Sequence, residues 1–263
     1  MSDIISAISK TVRDLGDSLM PHFAEVEPIV KEDGSWLTEA DRHSHEVLLK
    51  ELRHIVDLPV LSEELTDSEQ QAIITDSKAG YWCVDPLDGT SNYTLGIPYW
   101  CISVGLVVEG SVRLGVIYDP NRQECFSAID DQPTCLNGSV IQTTPVDDLY
   151  HATALIDLKR LQTNVVSRLI SDYAFRSQRC FGASALDLCW IAMDRCQLYL
   201  HGEQKLWDYV AGKRILLNSG GQCESFTGDS VFQNDLEPRP IIAASSAQLM
   251  SQWRDYFQSI QSS

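Results

Sequence analysis

Apolar side chains recur every three or four residues in two stretches near the start of the chain. The first stretch consists of Ile4, Ile5, Ile8, Val12, Leu15 and Leu19. This spacing predicts an amphipathic helix that ends before Pro21. A second helix is predicted to begin after Thr38, and its inner face consists of Val47, Leu48, Leu52 and Ile55.

Short apolar runs without helical spacing follow these helices and predict β-strands. They cover residues 58–61, 80–84, 100–108, 111–118 and 124–129. Glu109 and Gly110 separate two of the runs and predict a hairpin turn. We therefore expect an antiparallel sheet in this part of the chain.

Beyond about residue 150 the predicted strands and helices alternate. Strands are predicted at residues 152–156, 175–180, 197–200 and 241–244, and helices at 165–173, 184–193, 207–218 and after Ser245. Ser184 is the predicted N-cap of the second of these helices. The pattern predicts an α+β N-terminal half, residues 1–145, and an α/β C-terminal half, residues 146–263, within one compact unit.

Composition and charge disfavour several classes of protein. The 263 residues are 44% apolar, which suits a large globular core. No apolar run approaches the ~18 residues needed to span a bilayer, and the N-terminus lacks the pattern of an export signal. The formal charge of −17 makes nucleic acid an unlikely partner, because phosphate binding needs a basic face. The eight cysteines form no C-x-x-C pair, which predicts reduced core thiols and a cytoplasmic protein.

The segment Asp85-Pro86-Leu87-Asp88-Gly89-Thr90 directly follows the predicted strand at 80–84. Proline restricts the backbone between the two carboxylates, which favours their convergence on one point. The backbone amides of Gly89 and Thr90 are suited to binding an anion. Carboxylates beside an anion site indicate a divalent cation between them, as in a site for phosphate hydrolysis.

Other acidic residues lie at related positions in the pattern. Glu63 and Glu64 follow the predicted strand at 58–61, and Asp208 lies at the start of a predicted helix. Each position has a simpler interpretation: Glu63-Glu64 suits a turn, and Asp208 complements a helix dipole. His43 and His45 are two apart on a helix, so they point away from each other and are interpreted as surface residues.

Two segments resemble the signatures of the inositol monophosphatase family. They are residues 85–93, which begin with the Asp85–Thr90 segment, and Trp207-Asp208-Tyr209-Val210-Ala211-Gly212. Further matches are Lys31-x-Asp33-Gly34-Ser35, Thr38-Glu39-Ala40-Asp41, Ser62-Glu63-Glu64, Gly96-Ile97-Pro98 and Ser103-Val104-Gly105. The resemblance covers nearly the whole chain and implies a layered α-β-α-β-α sandwich and a magnesium-dependent, often lithium-sensitive phosphatase.

By this resemblance, Glu63, Asp85 and the backbone oxygen of Leu87 would hold one Mg²⁺. A second Mg²⁺ would be held by Asp85, Asp88 and Asp208. A third, more weakly bound ion would contact Glu63. Oxygen ligands also suit Mn²⁺, whereas the sequence offers no His or Cys cluster for zinc.

The resemblance also implies roles in catalysis. A metal-activated water would lie beside Glu63 and Thr90, with Asp41 hydrogen-bonded behind the Thr90 hydroxyl, and the Gly89 and Thr90 amides would hold the phosphoryl oxygens. Thr90 has a second interpretation as a helix N-cap, and both can hold.

Substrate choice is less clearly implied. By the resemblance, Asp88, Ser184 and His201 would contact the substrate, but His201 stands where inositol-specific relatives carry a glutamate. His201 also suits an ordinary turn before Gly202. We expect a small phosphorylated polyol such as inositol 1-phosphate, and keep three bisphosphorylated or nucleotide alternatives: fructose 1,6-bisphosphate, 3′-phosphoadenosine 5′-phosphate and NADP.

Two expectations about partners follow from the family alone. Relatives are commonly homodimers, so we expect a homodimer. Some relatives bind the transcription machinery, which leaves a non-catalytic binding role open.

Overall fold

The computed structural model describes residues 2–30, 34, 36–146 and 148–261, and it contains helices and strands in mixed order. The helices are α1 (Ser2–Leu19), α2 (Glu39–Ile55), α3 (Asp67–Asp76), α4 (Thr90–Leu95), α5 (Thr163–Ser171), α6 (Ser184–Ala192), α7 (Leu206–Asn218) and α8 (Ala247–Gln261). The strands are β1 (Ile29–Val30), β2 (Trp36–Leu37), β3 (Val60–Ser62), β4 (Gly80–Asp88), β5 (Cys101–Val108), β6 (Ser111–Asp119), β7 (Glu124–Ile129), β8 (Cys135–Leu136), β9 (Ser139–Val140), β10 (Thr153–Ile156), β11 (Ser177–Arg179), β12 (Leu198–Gln204), β13 (Gln222–Glu224) and β14 (Arg239–Ala244). Three 3-10 helices cover Met20–His22, Leu149–His151 and Leu158–Arg160.

The larger sheet has seven strands in the order of the chain, β3 to β9. β3 pairs parallel with β4, and every later pair is antiparallel. Glu109 and Gly110 connect β5 and β6 with φ values of 50° and 68°, as a tight hairpin turn requires. The antiparallel sheet predicted from the sequence is confirmed.

The smaller sheet has five strands in the order β11-β10-β12-β14-β13. β10 lies parallel to both of its neighbours, β11 and β12. The helices α5 and α6 lie in the connections between these parallel strands, as parallel pairing needs. The alternation of strands and helices predicted for the second half is therefore present.

Three hydrophobic clusters fill the spaces between successive layers. The first joins α1 and α2 to one face of the seven-stranded sheet, as in the packing of Val12 and Leu48 with Trp82. The second places α6 and α7 between the two sheets. The third joins the outer face of the five-stranded sheet to α5 and α8. The layered α-β-α-β-α sandwich is thus confirmed, whereas the division near residue 145 stays a prediction.

Several element boundaries differ from those predicted. Ser184 is the first residue of α6 rather than its N-cap, because Ala183 holds the extended N-cap conformation and no side chain caps the helix. The strand predicted at 80–84 continues as β4 to Asp88. Helix α3 was not predicted. In the described part of the chain, no helix is long and apolar enough to cross a membrane.

Candidate active site

A bulge in β4 brings Asp85 and Asp88 to one side of the sheet. Asp85 pairs with Ser103 of β5 and Asp88 pairs with Cys101, so β4 contains one extra residue in this interval. In a regular strand, residues three apart face opposite sides. The extra residue restores the same side for both carboxylates. Leu87 N donates to Asp85 Oδ1 at 3.0 Å and fixes that side chain.

Gly89 turns the chain from β4 into α4. It is the N-cap of α4, with φ at +94°, and a Cβ there would lie 3.1 Å from the backbone oxygen of Tyr99. Both the left-handed backbone and the close approach favour glycine. Thr90 is therefore the first helical residue, and its interpretation as the N-cap is wrong.

The hydroxyl of Thr90 contacts a buried carboxylate from α2. Thr90 Oγ1 lies 2.9 Å from Asp41 Oδ1 and 3.1 Å from the backbone oxygen of Leu87. Asp41 Oδ2 accepts from both Thr38 N and Thr38 Oγ1, at 2.7 and 2.6 Å, as part of the capping box that starts α2. Burial raises the pKa of Asp41, although these hydrogen bonds oppose the shift.

Glu63 lies on a turn that α3 holds in place. The turn follows β3, and Gln70 Nε2 lies 3.0, 3.3 and 3.2 Å from the backbone oxygens of Ser62, Glu63 and Leu65. On the other side, His45 Nδ1 lies 2.9 Å from Ser62 Oγ. The prediction of a surface position is therefore wrong for His45, which is half-buried, whereas His43 is exposed.

Asp208 is both a helix-capping residue and part of the site. Its Oδ2 accepts from Lys205 N at 2.9 Å in the first turn of α7, so the simpler interpretation made from the sequence also holds. Across the site, Ala185 N of α6 donates to Asp88 Oδ2 at 2.7 Å. Backbone amides of two helices therefore orient two of the carboxylates.

One cleft of about 720 Å³ brings these side chains together. Of the residues proposed from the sequence, it is lined by Glu63, Asp85, Leu87, Asp88, Gly89, Thr90, Ser184, His201 and Asp208. Asp41 is not part of the lining and lies behind Thr90. Lys31, Asp33 and Ser35 fall outside the described residues.

The electrostatics of the cleft favour a bound cation. Burial, followed by the charges of Glu63, Asp88 and Asp208, raises the pKa of Asp85 well above its usual range. Burial and the Asp208 charge do the same to Asp88, and burial raises the pKa of Asp208. Ionised carboxylates in such a place repel one another unless a positive charge lies between them.

The donor set fits a hard, oxygen-preferring divalent ion. Carboxylate and carbonyl oxygens are the ligands that Mg²⁺ and Mn²⁺ prefer. Among the described residues, no three acidic, histidine or cysteine side chains already surround a single point. One backbone amide donates to each of the carboxylates of Asp85, Asp88 and Asp208.

Asp157 and Gln70 are among the cleft residues that the sequence analysis did not propose. Asp157 directly follows β10, in the position relative to a strand that Glu63 holds after β3. The same signal, an acid at the end of a predicted strand, was available for Asp157. Gln70 lies on α3, the helix that was not predicted.

The sequence of the chain is similar to that of known proteins of one family. A sequence profile described as the inositol monophosphatase family matches residues 1–262. Inositol monophosphatase 1 of Solanum lycopersicum is 29% identical over 230 residues, which cover 84% of each chain. Nus factor SuhB of Xylella fastidiosa is 29% identical over 244 residues, covering 89% of this chain and 86% of the relative.

The fold agrees with this match. The crystal structure of extragenic suppressor protein suhB from Bartonella henselae superposes with a TM-score of 0.86 at 23% identity, covering 97% of this chain and 98% of that one. The chain therefore belongs to the inositol monophosphatase family.

Proposed function

We propose that this chain is a metal-dependent phosphomonoester hydrolase that acts on a small phosphorylated polyol. Membership of the inositol monophosphatase family supports a phosphatase. The observation that carries the proposal is the convergence of Glu63, Asp85, Asp88 and Asp208 in one cleft. A dianionic ester would be repelled from these charges, so the proposal requires cations.

The proposed ligand sets use the carboxylates and one backbone oxygen. Glu63, Asp85 and the Leu87 oxygen would hold one Mg²⁺, and Asp85, Asp88 and Asp208 a second, with room left open for a third. Bound Mg²⁺ would supply positive charge for the phosphate ester and lower the pKa of the attacking water.

Thr90 and Asp41 have the roles of orienting that water and taking up its proton. The Thr90 hydroxyl donates to Asp41, so its remaining lone pairs are available to accept a hydrogen bond from water in the cleft. The raised pKa of Asp41 suits a group that accepts a proton through Thr90. The Gly89 and Thr90 amides would hold the phosphoryl oxygens.

A phosphate-release screen with purified protein tests this proposal. It includes inositol 1-phosphate, 4-nitrophenyl phosphate, fructose 1,6-bisphosphate, 3′-phosphoadenosine 5′-phosphate and NADP, each with Mg²⁺, with Mn²⁺ and with excess chelator. We expect hydrolysis that needs the divalent ion and is fastest on inositol 1-phosphate. No metal-dependent release from any substrate would refute the proposal.

A second role as a protein partner has one supporting observation, the similarity to proteins named Nus factor SuhB. It is separable from catalysis, because Asp85→Asn would remove hydrolysis and leave the outer surface unchanged. Capture of transcription proteins by both the wild type and this variant would support the second role.

A further inference from the structure

Parallel strand pairing brings Asp157 beside His201. β10 pairs with β12 so that Ile156 lies opposite Leu200, and the next residues along the two strands are Asp157 and His201. Asp157 N donates to the backbone oxygen of Leu200 at 3.1 Å, which continues the pairing by one residue. The sheet itself therefore sets the position of this acid–imidazole pair.

The hydrogen bonds of the pair determine which tautomer His201 has. Glu203 N donates to His201 Nδ1 at 3.2 Å, so Nδ1 carries no proton in this arrangement. The proton then lies on Nε2, which is 3.2 Å from Asp157 Oδ2. Both ring nitrogens are thus engaged within the protein, and a neutral imidazole satisfies both contacts.

These contacts fix Asp157 as an oriented carboxylate. The hydrogen bond from His201 lowers the pKa of Asp157, and Lys159 N donates to its Oδ1 at 2.8 Å. Each carboxylate oxygen can accept more than one hydrogen bond. Asp157 lines the cleft and its side chain is 27% exposed, whereas the His201 side chain is 11% exposed. Both side chains therefore line the cleft, and the carboxylate is the more exposed of the two.

A close backbone contact between Gly202 and Arg160 fixes the surroundings of Asp157. Gly202 lies in β12, beside the turn that follows Asp157. A Cβ on Gly202 would lie 1.7 Å from the backbone oxygen of Arg160, so only glycine fits at this position. The Arg160 guanidinium lies 3.5 Å from Glu203, and both side chains are at least half exposed. Arg160, Glu203 and Lys205 also line the cleft, so charges of both signs lie near the Asp157 carboxylate.

We propose that Asp157, positioned by His201, accepts hydrogen bonds from the substrate's hydroxyl groups and so favours phosphorylated polyols over phosphomonoesters that carry no hydroxyl group beside the ester. This inference rests on the proposed hydrolase function of the same cleft. An ionised carboxylate is an acceptor only, so the chemistry it recognises is a hydroxyl or another donor. His201 is assigned the role of a positioning residue, because both of its ring nitrogens contact groups of the protein.

The test compares Asp157→Asn and Asp157→Ala with the wild type on two phosphomonoesters. Inositol 1-phosphate carries hydroxyl groups around the ester, and 4-nitrophenyl phosphate carries none. We expect both variants to lose at least about tenfold more kcat/KM on inositol 1-phosphate than on 4-nitrophenyl phosphate, chiefly through KM, because a hydrogen bond to a charged group is removed. Equal losses on both substrates, or no loss, would overturn the inference while leaving the hydrolase proposal intact.

Control variants separate recognition from folding. Asp148 pairs with His151 at 2.8 Å in an exposed acid–imidazole pair that is not part of the cleft lining, so Asp148→Asn should keep the wild-type ratio of the two substrates. His201→Gln retains a donor near the position of Nε2 and should preserve more of the selectivity than His201→Ala. Equal selectivity in these two His201 variants would contradict the positioning role.

One further result bears on both proposals. A wild type that hydrolyses neither phosphomonoester would refute the hydrolase proposal, and the inference with it.

Discussion

The cleft has two acidic walls, one from each sheet, and their carboxylates differ in how the protein surrounds them. On the wall formed by the seven-stranded sheet, burial and neighbouring carboxylates raise the pKa of Asp85. On the wall formed by the five-stranded sheet, the hydrogen bond from His201 lowers the pKa of Asp157. Asp85 lies in β4 and Asp157 directly follows β10, and both aspartates line the same cleft.

The opposite pKa shifts of Asp85 and Asp157 show that position in the cleft alone does not decide the chemistry of a carboxylate. Asp157 accepts hydrogen bonds from His201 and from Lys159 N, so its ionised form is stabilised within the protein. Asp85 has acidic neighbours and one backbone donor, Leu87 N. On the proposed function, a cation therefore lies on the first wall and not on the second.

The largest expected effect comes from Asp85→Asn, which removes the group shared by both proposed ions. We expect kcat/KM to fall by more than about 100-fold, beyond the loss typical of a residue that only supports a metal ligand. Steady-state kinetics with saturating Mg²⁺ measures this, with Asp148→Asn as the control. Wild-type turnover in folded Asp85→Asn protein would contradict the assignment.

Asp187→Asn tests how far burial raises the pKa of an aspartate that is not a proposed metal ligand. Asp187 lies on α6 away from the lining of the cleft, and burial raises its pKa to about 7 despite a 2.7 Å hydrogen bond from Tyr99. A folded-state pKa above the unfolded value of 3.8 contributes stability at low pH that is lost as the pH rises through about 7.

We therefore expect the metal-free wild type to lose roughly 2 kcal/mol more unfolding free energy than Asp187→Asn between pH 5 and pH 8. Urea unfolding at both pH values measures the difference. Parallel pH dependence in the two proteins would show that burial does not shift this group.

Gln70→Ala has the smallest expected effect and tests the support of the first wall. The amide holds three backbone oxygens around Glu63, so its loss should lower the unfolding free energy by about 1–2 kcal/mol. We also expect a several-fold higher Mg²⁺ concentration for half-maximal activity. The neighbouring Gln71 is exposed, and its side-chain amide donates to Thr75 of the same helix, so an equal effect of Gln71→Ala would contradict this role.

The sequence contained most of the fold because the signals were local. The hairpin at Glu109 and Gly110, the start of α2 after Thr38 and the alternating second half each depend on neighbouring residues. Helix α3 has a weaker apolar pattern, and only Gln70 in it is buried. Its capping box, Thr66 with Glu69, was a usable signal that the apolar pattern did not show.

The candidate site was predicted less completely, because part of it depends on strand register. The Asp85–Thr90 segment indicated the carboxylates, but not the bulge that turns both to one side. The contact between Asp157 and His201 depends on the parallel pairing of β10 with β12, which neither segment encodes alone. The interpretation of His201 as a substrate contact stays a prediction: the residue lines the cleft, and its ring nitrogens contact Asp157 and Glu203.

Calorimetric titration of metal-free protein with Mg²⁺, repeated with Mn²⁺, tests the account's central claim most directly. We predict binding to the wild type and to Asp157→Asn, and its loss in Asp85→Asn. Equal binding by Asp85→Asn and the wild type, or no binding by any of the three, would contradict the claim that the first wall is a cation site.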